Sequence, residues 1–530
     1  MDKSFKNKNL LVIVFEIVVI ILGIIGITYA TTQIINNRTV TNLTVGEYTV
    51  EYIGDKNVTV NNLEPIDDNL VNINTKDKVI RLEFSLRGAA SNKKDDLIYD
   101  VMIKNLKVDC AFLNKYTKWV LYKNGNKLST GSLDPAFDSD VLGDTMRLTN
   151  IQEDLPSHND KYDKYVVIFW ISESCDDISS CELIDQSDIV DKSVSMEVFI
   201  AVNSGEKKAF ERVPNYDNSC ANRPRLYNNM IPVTYKDGNF VLASSSNSDK
   251  NYLWYDYNKQ QWANALVVKD KSKYRNVGDK IDSSSILGYY VWIPRYSYKL
   301  WNATGDGSDS YKAYDEGIDI KFEGGLNNVS GTENNTYMTH PAFGNDSYGF
   351  WISKYEISKN GDNYLSVPNA EAYVETSLEN YQNIFNNLGS TYKLGDNAVT
   401  EMVTNLQWGA VLYLSHSKYG VCFGDGCSSI GINDSYKAGY NRQDTTTRNV
   451  YGVYDMAGGA AEYVMGKSNQ LGCATKEVTL LDGDTWYQGH GLASERDYVI
   501  RGGIGKGLFN FRDIGMSDIK VGSRSIIREK

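Results

Sequence analysis

The sequence predicts an α+β protein in three parts: an N-terminal transmembrane helix, an all-β sandwich domain, and a C-terminal α+β domain. Three observations carry this. An apolar run from Leu10 to Ala30 follows Lys3, Lys6 and Lys8. The stretch after it alternates apolar and polar residues with period two, the pattern of strands with one buried face. The remainder mixes short, glycine-rich apolar runs with two helical patterns.

The apolar run is broken only by Glu16 and is long enough to cross a hydrocarbon core of about 30 Å. Cations on its short N-terminal side favour insertion with the N-terminus inside and the bulk of the chain outside. Residues 1–8 are thus expected to be a cytoplasmic basic tail, and 9–31 a transmembrane anchor or a long signal cleaved after Thr28-Tyr29-Ala30. Phe15-Glu16-Ile17-Val18-Val19 resembles a type IV pilin N-terminus, but the glycine that precedes the pilin cleavage point is absent. The expected localisation is a single-pass cell-membrane protein with its bulk extracellular. The net charge of −12, without a Lys/Arg stripe, argues against nucleic acid, because phosphate binding needs clustered cations.

The seven cysteines fit an exported chain. Cys175 and Cys181 bracket one short loop, and Cys422 and Cys427 bracket Phe423-Gly424-Asp425-Gly426. Both spacings suit a disulfide across a tight turn. Zinc is the rival for such pairs, but no second pair or histidine lies at ligand spacing. Cys110, Cys220 and Cys473 remain, and their pairing does not follow from the sequence.

Residues 46–203 read as an Ig-like β-sandwich. Ile80, Leu82, Phe84 and Leu86 alternate with Arg81, Glu83, Ser85 and Arg87. Trp119 to Tyr122, followed by Asn124-Gly125, predicts a hairpin with a type I′ turn. Tyr165 to Ile171 is continuously apolar, as in a central strand or one buried on both faces. In pattern, and in its place after Gly26-Ile27-Thr28-Tyr29-Ala30, this domain resembles the exported camelysin-type and biofilm-fibre β-sandwiches. Residues 204–225 are polar and read as a linker, and 226–530 as the α+β domain. There, one helix is predicted from Ser377 to Leu388, with Leu378, Tyr381, Phe385 and Leu388 on one face and Gly389 as its stop. A second begins at Thr404, where Gln407 completes a capping box. The stretch from Asn433 to Arg448 reads as a long surface loop.

The C-terminal domain is organised around Tyr454-Asp455-Met456-Ala457-Gly458-Gly459-Ala460-Ala461-Glu462-Tyr463, followed by Arg501-Gly502-Gly503 and the ending Val521-Gly522-Ser523-Arg524-Ser525. Upstream stand Gly349-Phe350-Trp351-Ile352-Ser353-Lys354-Tyr355-Glu356, Asn405-Leu406-Gln407-Trp408, Tyr290-Val291-Trp292-Ile293-Pro294-Arg295-Tyr296 and His340-Pro341-Ala342-Phe343. In order and content these resemble the formylglycine-generating-enzyme-like (sulfatase-modifying factor) family of the C-type-lectin-type fold, including a bacterial surface-protein branch. The resemblance spans roughly residues 285–528 and implies that fold for the domain.

It does not bring the family's oxidase chemistry with it. Formylglycine generation needs two cysteines after the double glycine, where a thiolate pair holds metal and substrate thiol. Here Ile504 to Arg512 contains none. The family's calcium-binding Asn and its two Trp are replaced around Gly458 to Tyr463, so calcium is not supported and no cofactor is expected. Iron-oxygenase chemistry of a related branch would have to draw on His340, His416 and His490, with His158 in the other domain; packing or surface roles account for all four. No nucleophile-elbow motif appears. No catalytic or metal-ligating residue is therefore assigned.

What the resemblance leaves is binding. In this fold the segment after the double glycine faces the ligand, which makes Lys506, Phe509, Asn510, Arg512 and Asp513 candidate ligand-binding residues, with Tyr463 at the end of the earlier glycine stretch as a further candidate. Flat aromatics beside bidentate polar groups suit a glycan or a surface-protein ligand. The alternatives are an enzyme of this fold with relocated catalytic groups, or a fibre or pilus-type subunit acting through the first domain.

Overall fold

The computed structural model describes residues 30–530 apart from 32–38, 46–47, 56, 62, 91–96, 144, 155–161, 174–192, 301–316, 327, 334, 375, 422–430, 432, 438, 440, 466–497, 504–510 and 513–519. The described chain is mostly β-sheet with two α-helices and divides into two compact units. The first comprises Met1–Leu106, Tyr116–Ser132 and Thr145–Glu211; the second comprises Lys107–Lys115, Leu133–Asp144 and Arg212–Lys530. No helix among the described residues is long and apolar enough to cross a membrane. Residues 1–29 of the expected tail and anchor lie outside the described residues, while Ala30–Thr31 pairs with Val202 and Ala201.

The first unit is a β-sandwich of a six-stranded and a seven-stranded sheet. The period-two pattern sets its register: Ile80, Leu82, Phe84 and Leu86 are all buried, and their neighbours reach outward. Their strand, Ile80–Ala90, lies beside Asp163–Ser172, which on its other side pairs with Thr117–Lys123. The continuously apolar run is thus central, and both its faces are covered. Val120, Ile168 and Trp170 form an outer cluster with Ile66, Val71 and Val79. Asp68 of the same overlying segment accepts the Trp170 indole N–H at 2.7 Å. On the inner face the rings of Tyr52, Phe84 and Tyr165 stack at 5.2 and 5.0 Å. The hydroxyls of Tyr99 and Tyr165 bond across from one sheet to the other. The hairpin turn has Asn124 at φ 50° and Gly125 at φ 88°, the two positive values a type I′ turn requires.

The second unit is built on a seven-stranded antiparallel sheet in the order Asn239–Leu242, Met230–Lys236, Asn264–Val268, Ile286–Pro294, Gly349–Ser353, Ser525–Glu529, Ala398–Met402. Trp254, Trp262, Trp292, Trp351 and Trp408 are fully buried in its core. Large rings suit this interior only because their N–H groups find acceptors. Trp254 donates to the Asn264 carbonyl at 2.7 Å, Trp262 to Tyr419 at 2.7 Å and Trp351 to Arg225 at 2.6 Å. Of residues 204–225, Asn215, Asp217 and Asn222 are buried. Asn222 donates to the Gly325 and Tyr348 carbonyls, both at 3.1 Å.

Helix α1, Leu378–Thr391, is capped by Ser377 and buries Tyr381, Ile384, Phe385 and Leu388. It runs past Gly389, which the sequence marked as its stop. The missing Cβ lets Thr400 close in: its Oγ1 accepts the Gly389 N–H at 2.8 Å, and a Cβ there would meet it at 3.2 Å. Helix α2, Asn405–Ser415, starts with the expected Thr404–Gln407 capping box and is buried on almost every side. The stretch from Asn433 to Arg448 is not a surface loop throughout, since Asp444, Thr445, Thr446 and Thr447 are buried. Their polar groups hydrogen-bond the glycine motif, as when Thr446 Oγ1 accepts the Val453 N–H at 3.0 Å.

Cys110 and Cys220 form a disulfide, with Cα atoms 6.0 Å apart and a sequence separation of 110. A loop of that length is constrained strongly in the unfolded chain, by about 5 kcal/mol on the chain-entropy account. Replacing both cysteines by Ser should lower the stability of the second unit by about that amount. Denaturant titration of the oxidised protein and the double variant checks this, and equal midpoints would refute it.

Candidate functional site

The glycine motif is a strained turn fixed by buried polar groups. Asp455 sits at φ 59°, Gly458 at 85° and Gly459 at 62°. A Cβ on Gly458 would strike the Asn433 backbone nitrogen at 2.3 Å, so only glycine permits this approach. The Asp455 carboxylate accepts from Asn433 Nδ2 at 3.0 Å and from the Gly439 N–H at 3.2 Å. Burial pushes its pKa up to about 6, against the pull of Arg524.

Behind the turn lies a buried ionic frame. Arg524, fully buried, donates through Nε to Glu462, through Nη1 to the Ser353 and Lys354 carbonyls at 3.3 and 3.2 Å, and through Nη2 to the Tyr454 carbonyl at 2.6 Å. The other Glu462 oxygen accepts the Trp408 indole N–H at 3.0 Å. Glu356 is buried beside Glu462 and Asp455; desolvation first, and those charges next, push its pKa well above the usual carboxylate range. Burial raises the pKa of Glu462 as well, and the Arg524 guanidinium in contact with it pulls it back down. Lys354, also fully buried, donates to Asn264 Oδ1 and the Val450 carbonyl, both at 2.6 Å. Desolvation holds its pKa well below the usual value.

This frame carries a four-stranded sheet in the order Phe511–Arg512, Tyr498–Gly503, Gly458–Met465, Val521–Ser523. Tyr463 is half-buried, with its ring 6.0 Å from that of Tyr381. It pairs in register with Ile500, and Ile500 with Arg512, so these three form one cross-strand row. Of the expected ligand-binding residues the structure thus aligns Tyr463 and Arg512. Lys506, Phe509, Asn510 and Asp513 lie outside the described residues, as do Cys175, Cys181, Cys422 and Cys427.

His340 is fully buried among the rings of Tyr296, Tyr298, Phe343 and Tyr413. Its Nδ1 accepts the Ala342 N–H at 3.2 Å. His416 is the C-terminal cap residue of α2. Burial lowers their pKa values to about 3 and about 4, so both are neutral. Among the described residues no group of three His, Cys, Asp or Glu is placed to hold a metal ion.

A cavity of about 350 Å³ opens elsewhere in the second unit, lined among others by Arg225, Tyr227, Asp346, Tyr348, Gln407 and Arg528. The Arg225 guanidinium stacks 4.1 Å from the Tyr348 ring centre and pairs with Glu529. Arg528 grips Glu401 through Nε at 2.7 Å and Nη2 at 3.3 Å. Gln407 is only 6 % exposed. Its Oε1 accepts from the Thr404 N–H at 2.9 Å and the Thr404 hydroxyl at 3.0 Å. Among the described residues its amide nitrogen has no acceptor, and neither the Tyr227 hydroxyl nor the exposed Asp346 carboxylate makes a hydrogen bond, although the Arg528 charge acts on both. Sequence reasoning found Gln407 only as a helix cap. The others are scattered between positions 225 and 528 with no spacing that marks them.

No family model and no curated protein matches the chain. Solved structures give faint likenesses. The PBCV-1 virus capsid is 8 % identical at TM-score 0.13, over 58 % of this chain and 83 % of that one. The botulinum neurotoxin serotype D binding domain is 11 % identical at TM-score 0.12, over 58 % of this chain and 84 % of that one. Likenesses at this level carry no functional argument.

Two outcomes follow from the frame and from His340. Arg524→Met should destabilise the second unit by about 3–5 kcal/mol, because it leaves Glu462 buried without a countercharge. The double variant Arg524→Met/Glu462→Met should recover part of that loss in denaturant titration; no recovery would show that the pair is not the origin of the cost. His340 has a folded pKa below its unfolded one, so its contribution is complete above about pH 6.5 and is lost as pH falls toward its folded value of about 3. Two pH units of such linkage correspond to about 3 kcal/mol. His340→Asn keeps an acceptor for the Ala342 N–H without titrating, and should flatten the fall in melting temperature between about pH 6.5 and 4.5. An unchanged slope would rule His340 out as its source.

Proposed function

We propose that the chain is a single-pass, membrane-tethered extracellular surface protein. Its N-terminal β-sandwich acts as spacer or assembly module. Its C-terminal unit is a catalytically degenerate module of the formylglycine-generating-enzyme-like type that binds a glycan or a surface protein. One observation carries the reading. The residues that would frame such a module, Glu462, Arg524 and Trp408, form a closed buried network, while the segment after Gly503 lacks the cysteine pair the oxidase needs. A retained frame with deleted chemistry is what a binding module derived from an enzyme scaffold requires.

Two results are expected. Purified protein supplied with copper should convert no cysteine of a substrate peptide to an aldehyde, since no thiolate pair is there to hold the metal; turnover would defeat the reading. Replacing Lys506, Asn510 and Arg512 together by Ala should abolish binding of the full chain on glycan and surface-protein arrays, with a stability change of only about ±0.5 kcal/mol per site. A large loss of stability would instead make that segment part of the core.

A further inference from the structure

We propose that the cavity lined by Arg225, Tyr227, Tyr348, Gln407 and Arg528 is a saccharide subsite, separate from the segment that follows Gly503. The proposal rests on the reading of the second unit as a binding module and names a ligand class for it. The starting point is Gln407. Gln407 lines the cavity; its carbonyl oxygen is held by Thr404, while its amide nitrogen has no acceptor among the described residues and is not sealed from solvent, so it is free to donate to an occupant. The group is fixed in place by the capping box, so it is an oriented donor rather than a mobile one.

Two further uncommitted groups share the cavity. The Tyr227 hydroxyl can donate or accept; burial pushes its pKa up to about 12, so it stays protonated. The Asp346 carboxylate only accepts. The occupant must therefore offer an acceptor to Gln407, a donor to Asp346 and either to Tyr227. Hydroxyl groups meet all three demands, because each carries one donor and two acceptor lone pairs. A hydrocarbon ligand would leave the Gln407 amide desolvated and unpaired. A phosphate would find Arg225 and Arg528 already paired with Glu529 and Glu401, and the Asp346 carboxylate facing it. Tyr348, stiffened by the Arg225 guanidinium stacked on it, and Tyr227 add flat walls beside these polar groups. A volume of about 350 Å³ is at the small end for ligand sites, as a ring or two of sugar requires.

The test uses the full chain in detergent, with saturation-transfer NMR and calorimetric titration against glucose, galactose, N-acetylglucosamine, glucuronic acid and their β-linked disaccharides. At least one should bind in the millimolar range or tighter, and inorganic phosphate should not displace it. Gln407→Glu keeps the capping box but removes the donor, and Tyr227→Phe keeps the ring but removes the hydroxyl; each should weaken binding about tenfold with the melting temperature held. Lys271→Ala, at an exposed position outside both candidate sites, should bind as the wild type does. Absence of binding by every sugar, displacement by phosphate, or full binding by both cavity variants overturns the subsite. Sugar binding lost in the Lys506/Asn510/Arg512 triple Ala variant but kept in both cavity variants would overturn it while leaving the binding module standing.

Discussion

The second unit depends on one guanidinium. Arg524 joins three pieces of chain that are distant in sequence: the strand carrying Glu462, the end of the strand Gly349–Ser353 and the turn at Tyr454. Each of its acceptors is buried, and without it Glu462 would keep only the Trp408 N–H and the Lys354 carbonyl only the Tyr454 N–H. A planar cation with five donors suits the task; a lysine ammonium, a compact point charge with three donors, could not span the same set. The position of this charge also decides protonation nearby. Arg524 opposes the rise that burial gives the Glu462 pKa, while Glu356 beside it is pushed well above the usual carboxylate range, by burial first and the Glu462 charge next. A buried pair of this kind adds little net stability over a well-packed apolar substitute, but its geometry admits one arrangement of the strands around it.

The second Glu462 oxygen extends the constraint to α2 through Trp408. That helix has almost no wet face, so its amphipathic pattern is weak, and its place is set by its ends and by its buried indole. Thr404 and Gln407 close its first turn, which is why a polar pair is retained at an otherwise apolar position. The first unit uses the same device at smaller scale. Asp100 is buried there and accepts from Thr149 Oγ1 and Gln152 Nε2, both at 3.0 Å, with Arg147 alongside at 3.3 Å.

Local features were legible in the sequence, and features made by distant contacts were not. The alternation from Ile80 to Leu86, the Asn124-Gly125 turn and the Thr404–Gln407 capping box depend on neighbours a few residues away. Gly389 was misread because glycine both ends helices and admits close neighbours, and here the neighbour is Thr400. The stretch from Asn433 to Arg448 was misread because polar side chains that satisfy a buried turn have the same composition as those that face water. The Cys110–Cys220 bond spans 110 residues, and no local spacing predicts it. At the cavity the sequence shows nothing, since Tyr227 and Gln407 belong to one site only after the sheet has formed.

The ionic frame also limits how a ligand can be recognised. Arg524 with Glu462 and Arg295 with Glu323 close on each other in the interior. Burial disfavours charge on both Glu356, whose pKa is pushed well up, and Lys354, whose pKa is held well below its usual value. The frame is therefore close to neutral and projects little field, within a chain whose overall charge of −12 repels polyanions. Recognition then has to come from short-range hydrogen bonds and ring contacts. Such sites discriminate well, because a partner lacking the right hydroxyl leaves a buried group unpaired. They bind each ligand unit weakly. On the proposed reading, a membrane tether holding many copies on one surface would convert weak single contacts into strong attachment, since each later contact forms at high effective concentration.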